Sequence, residues 1–194
     1  MNNFFKYAVV VIILLSLLPL GYQYLNVGMT ADELFVDNFT THKIIDSKKH
    51  RGLESEAENT IAEVDAAAIL AVRSKAILAY NKKNYSEATK YFKAYMTTTA
   101  KTKDKGEVEL YLGLAYLGDN QTTKAKNLFK KMSKRGSKGR KQDAEWYLVL
   151  TLLKENNVEQ AKKNLAKILH QKRAHTHKEK ALKLQQQIDK YYVQ

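Results

Sequence analysis

The sequence contains no cysteine, which excludes disulfide staples and thiolate metal sites. It contains one proline, Pro19, so the chain beyond it carries none of the residue that most effectively interrupts helices. Eight glycines are few and scattered, and no glycine-rich phosphate loop is present. Neither G-x-S-x-G nor H-E-x-x-H occurs, so two common hydrolase signatures are missing. Acidic residues are outnumbered, 20 against 33 Lys and Arg, for a formal charge of +13. The shortage is local. Gln121–Lys141 holds nine basic residues and no acid, whereas Thr30–Ala66 holds nine acids against four bases. A basic balance of this kind fits nucleic acid, anionic lipid, an acidic partner or plain solubility.

What is present begins with an apolar run. Tyr7–Leu25 is 19 residues without a charged side chain. As a helix it would be about 28 Å long, close to the hydrocarbon thickness of a bilayer. Phe4, Phe5 and Tyr7 precede it, and Tyr22 and Tyr24 close it, like an interfacial belt. A cleaved signal peptide is the competing reading, but no A-x-A-like pair follows in Gly21–Thr30. Residues 1–29 are therefore read as a membrane anchor. Lys6 on one flank and Asp32, Glu33 and Asp37 on the other place the amino terminus in the cytoplasm and the rest outside it.

Residues 30–59 read as a short helix and a polar linker. Thr30-Ala-Asp-Glu33 has the form of a capping box ahead of Leu34, Phe35 and Phe39. Thr40–Asn59 is polar, charged and interrupted by Gly52. Residues 60–194 follow a nearly continuous helical pattern. It predicts helix pairs at Val64–Lys82 with Tyr85–Met96, Gly106–Gly118 with Thr122–Ser133, and Gln142–Glu155 with Val158–Lys172. A last amphipathic helix follows at Lys178–Tyr191.

The pairs share a register. Leu112-Gly113, Tyr116, Ala125 and Phe129 match the spacing L-G-x2-Y…A-x3-F. Placing Ala161 on Ala125 puts Leu148 on Leu112, Leu165 on Phe129, Glu145 on Glu109 and Tyr147 on Tyr111. Placing Ala88 there puts Phe92 on Phe129. Small residues at Gly113 and Ala125 allow two helices to approach closely, and Tyr116 and Phe129 fill the space around them.

This pattern resembles the tetratricopeptide repeat (TPR) family over roughly residues 64–192. The resemblance implies an all-α fold: an α-solenoid of about three helix pairs closed by a C-terminal capping helix. Joined to an amino-terminal transmembrane helix, the D-E-L-F segment Asp32–Phe35 and the W-Y-L-x-L-x-x-L-K helix Trp146–Lys154, it looks like membrane-anchored TPR proteins of Bacteroidetes-type bacteria.

The resemblance also implies a concave surface lined by the first helix of each pair. Carried over position by position, that surface includes Arg73, Ile77, Tyr80 and Asn81, then Leu114 and Leu117, then Trp146, Leu150 and Lys154. The alternative is that Leu114, Trp146 and Leu150 are core, packed under the amino-terminal segment or the anchor-proximal helix. Ile77, Tyr111, Asp143 and Tyr147 stand where a chaperone-type carboxylate clamp needs basic and amide groups, which argues against an acidic terminal peptide.

A second candidate surface is basic: Lys130, Lys131, Lys134 and Arg135, within Lys124–Lys141. No aromatics interleave with it, so stacking on single strands is disfavoured. His170, His175 and His177 cluster in what reads as a solvated loop, short of a metal site. Acids are expected on helix exteriors. The expectation is a non-enzymatic scaffold on the extracytoplasmic side of the inner membrane, with no cofactor, holding a protein or peptide partner in the envelope. A module for anionic lipid or another polyanion is the alternative. Nucleic acid and small-molecule substrates are disfavoured.

Overall fold

The computed structural model describes residues 28–40, 44, 61–98, 105–135 and 140–192. The expected anchor Tyr7–Leu25 and most of the linker lie outside these residues. Among the described residues no helix is long and apolar enough to cross a membrane. They form eight helices and no strand: α1 Ala31–Asn38, α2 Ile61–Asn81, α3 Tyr85–Thr98, α4 Lys105–Gly118, α5 Thr122–Arg135, α6 Lys141–Lys154, α7 Val158–Leu169 and α8 Lys178–Tyr191.

The helices from α2 to α7 form three hairpins, α2–α3, α4–α5 and α6–α7, each closed by the same turn. At the first, Asn84 N–H reaches Ala79 C=O and Lys83 N–H reaches Tyr80 C=O, both at 2.9 Å. At the second, Gln121 N–H reaches Tyr116 C=O and Asn120 N–H reaches Leu117 C=O. At the third, Asn157 N–H reaches Leu152 C=O and Asn156 N–H reaches Leu153 C=O. Each is a Schellman closure, satisfying carbonyls that the helix end leaves free. It requires one residue in the left-handed region. Lys83, Asn120 and Asn156 supply it, with φ of 62°, 55° and 56°. Asparagine tolerates that conformation well, whereas lysine does so at a cost. The second helix of the first and third hairpins is then capped: Asn84 Oδ1 accepts from Glu87 N–H, and Asn157 Oδ1 from Gln160 N–H.

Packing repeats with the turns. Ala88, Ala125 and Ala161 are fully buried, as are Phe92, Phe129 and Leu165. A Cβ built on Gly113 would lie 2.4 Å from the Phe129 ring, so only glycine admits this approach of α4 and α5. Gly118 is pressed equally close by the Tyr85 ring of α3. Between hairpins, Phe92 stacks on Tyr111 with an interplanar angle of 28°, and Phe129 stacks on Tyr147 at 27°. One ring contact thus joins consecutive hairpins in the same way twice. Successive elements pack in chain order, α3 on α4, α5 on α6 and α7 on α8. Helix α4 also touches α6, and α1 packs far out of order on α6 and α8, more than a hundred residues away.

Two expectations are corrected. Helix α7 ends at Leu169 rather than Lys172, because the following residues are tied back to α6. Gln142 Nε2 donates to Ala174 C=O at 2.8 Å, and its Oε1 accepts from Thr176 N–H at 3.0 Å. Nor is the histidine loop solvated throughout: His175 is buried and His177 half-buried.

Candidate functional site

The first helices α2, α4 and α6 present one face, continued by α8. On α2, Arg73, Ile77, Tyr80 and Asn81 recur at helical spacing and share a side. Arg73, Ile77 and Tyr80 are buried, as are Leu114 and Leu117 on α4 and Trp146 and Leu150 on α6. Lys154, at the end of α6, is half-buried. The face is covered, and part of its cover is the chain's own segment around α1.

That segment begins at α8, where Gly28 sits against the Tyr191 ring. Thr30 then opens α1 with the expected capping box: its hydroxyl accepts from Glu33 N–H, and Glu33 Oε2 accepts from Thr30 N–H at 2.7 Å. The Thr30 hydrogen bonds hold the Glu33 carboxyl below the usual range. Leu34 and Phe35 are buried, while Val36 is 63% exposed and faces away. The Lys154 ammonium lies 4.7 Å from the centre of the Phe35 ring. Asn38 donates to Gln187 on α8 at 3.1 Å. Phe39 stacks on Phe35 and meets Tyr147 edge-on at 6.3 Å. At the far end Ile44 is buried at α2. Its N–H donates to Asn81 Oδ1 and its C=O accepts from Asn81 Nδ2, both at 2.9 Å. The described residues therefore dock on α8 and α6 through Gly28–Phe39 and on α2 through Ile44.

Beside it lies a polar string. Tyr111 donates to Glu107 at 3.2 Å, Arg140 pairs with Glu107 and Asp143, and Asp143 meets His177 Nε2 at 2.8 Å. The His177 ring lies flat on Trp146, 5.7 Å between centres. Burial opposes ionisation of Asp143, but hydrogen bonds from His177 and Arg140 outweigh it and hold its carboxyl below the usual range. Burial raises Tyr147 to about 12 and pushes Tyr80 well above its ordinary value. The Tyr80 hydroxyl is buried and has no hydrogen-bond partner among the described residues. These groups orient one another. Among the described residues no three of His, Cys, Asp and Glu gather to hold a metal.

The basic patch is divided. Arg135, itself exposed, reaches the buried carboxylate of Glu109 at 2.8 Å, which also corrects the expectation that acids lie outside. Glu145 stands at the same place in the next hairpin and accepts from Gln171, the counterpart of Arg135, at 3.1 Å. Lys130 and Lys134 remain outside. With Lys126, Ser133, Asn164, Lys167 and the carboxylate of Glu145 they line a furrow of about 510 Å³ between α5 and α7, floored by Leu148, Leu152 and Ile168. Lys126 is engaged by Glu155 at 2.7 Å. Lys131 is exposed and not part of this rim.

The α1 segment was visible in sequence as a short capped helix, and Asn81 as a concave-face position. That they meet had no local signal. Protein-family models, curated proteins and solved structures yield no match to this chain.

Proposed function

We propose that this chain is a non-enzymatic TPR-like adaptor. A transmembrane helix near its amino terminus anchors it in the inner membrane. The solenoid stands on the extracytoplasmic side and holds a protein partner along its concave face. What carries this reading is the Asn81 amide, which pairs with both main-chain groups of one residue. Such a pairing reads a peptide backbone irrespective of side chain, while the apolar positions around it select the side chains. Support for the repeat assignment comes from the triple recurrence of turn, alanine and ring contact in one register.

The test is photo-crosslinking in cells from position 154, at the rim of this face, and from position 131, outside it. Adducts with one defined protein from 154 and not from 131 are expected. Adducts from 131 alone would place the binding surface on the outer helices. Protease added to spheroplasts should digest the repeat domain without lysis.

The furrow between α5 and α7 supports a second reading, binding of a polyanion, because Lys130 and Lys134 project there without acidic partners among the described residues. Binding of that kind weakens steeply with salt, whereas binding on the concave face changes little.

A further inference from the structure

We infer that the described residues Gly28–Thr40 and Ile44 form a built-in competitor at the partner site, so that the partner is a segment of the same chemistry and binds by displacing them. The inference rests on the adaptor reading above. The chemistry follows from the present occupant. It is a short acidic helix, with Asp32, Glu33 and Asp37 and no base between Ala31 and Asn38. It carries an adjacent aliphatic and aromatic pair, Leu34 and Phe35, and a second aromatic four residues on, Phe39. Ile44 then offers its main chain to Asn81. The aromatic meets a lysine, Lys154, and the acidic helix lies on a chain of high positive charge.

Three observations make the segment exchangeable rather than fixed core. Helix α1 has eight residues, too few for a helix to persist on its own, so it exists only while docked. Its docking rests on α6 and α8 alone among its substantial helix contacts, whereas the hairpins pack on one another in chain order. Its tie at Asn81 engages main-chain atoms that any peptide carries. The α6 and α8 surfaces beneath it include Tyr147, met edge-on by Phe39, and the Tyr191 ring against Gly28, apolar surface that is costly to leave in water. Exchange of one segment for another keeps that surface covered throughout. Because the occupant is tethered, it competes at an effective concentration on the order of millimolar, which lowers the apparent affinity for a partner in trans.

The experiment titrates a labelled peptide copying residues 28–46 into the full chain, unaltered and with Leu34→Asp and Phe35→Asp. The doubly substituted chain should bind at least tenfold more tightly than the unaltered one. A peptide carrying the same two substitutions should not bind. Equal binding by both chains overturns the competition and leaves the partner site standing. No binding by a doubly substituted chain that keeps its helical circular dichroism overturns the partner site as well. Hydrogen exchange of the unaltered chain supplies an independent readout. Amides of Leu34–Asn38 should exchange before those of Leu148–Leu152. Exchange of both together, or loss of helicity in the doubly substituted chain, marks the segment as permanent core and overturns the inference. A dimer of the unaltered chain that the peptide dissociates would make a second copy the occupant and overturn the partner reading.

Discussion

Asn81 and Ile44 are joined by two hydrogen bonds of 2.9 Å, one in each direction, between a side-chain amide and a main chain 37 residues upstream. Asn81→Ala strands the N–H and C=O of buried Ile44 and should cost about 1–3 kcal/mol in urea denaturation. Asn81→Asp keeps the acceptor but turns the donor into a second carboxylate oxygen facing the Ile44 C=O, so it should also destabilise. Limited proteolysis should cut near residue 44 sooner in both variants.

Gly113 and Phe129 test the hairpin contact. Gly113→Ala drives a methyl into the ring at 2.4 Å and should destabilise by about 1–3 kcal/mol. Phe129→Leu makes room and should recover part of that loss in the double variant, an interaction that a double-mutant cycle measures.

Arg135 and its neighbours Lys130 and Lys134 should separate. Arg135→Ala leaves the Glu109 carboxylate buried without its cation and should lower stability by about 1–3 kcal/mol. Lys130→Glu with Lys134→Glu should leave thermal stability nearly unchanged and abolish any salt-sensitive polyanion binding. Equal loss of stability in both variants would contradict the division of the patch.

Much of the fold was legible because one register repeats. Ala88, Ala125 and Ala161 locate three helix contacts, and the polar turns between paired helices announce where each hairpin reverses. Gly113 could be read as a close approach because the aromatic it meets, Phe129, lies in the next helix. Cover on the first-helix face was one of two readings open in the sequence, with Leu114, Trp146 and Leu150 packed under the amino-terminal segment or its helix, and their burial agrees with it; which side chains dock there was not legible. Leu34, Phe35 and Phe39 form too short an apolar set to name a partner, and the α6 and α8 surfaces they meet lie over a hundred residues on. Arg135 looked like one more surface cation because its partner, Glu109, is buried by tertiary packing. The histidine loop looked solvated for the same reason: it is the Gln142 and Glu145 side chains of α6 that draw it in.

His175 should make the fold sensitive to mild acid. Burial lowers its pKa, outweighing the nearby Glu145 carboxylate; His177 lowers it further and Asp143 opposes. The neutral ring is thus favoured in the folded state. Its contribution is fully present above the unfolded value of about 6.5 and is lost as pH falls from there through the depressed folded value. Denaturant midpoints should decline in that window, before the carboxylates titrate. His175→Gln should flatten the decline. An unchanged slope would remove His175 as its source.

The most direct test of the central claim, that the chain's own segment lies across the first-helix face, exploits the absence of cysteine. A Cβ at position 28 would stand 3.4 Å from the Tyr191 Cβ, at the short end of disulfide geometry. Gly28→Cys with Tyr191→Cys introduces the chain's first two thiols, and mild oxidation under native conditions should join them within one molecule. Peptide mapping and a shift on a non-reducing gel report the bond. Near-complete intramolecular closure when the folded protein is oxidised, and little closure when the oxidation is carried out in urea, is the predicted result. Thiols that stay free until the protein is denatured would contradict the account.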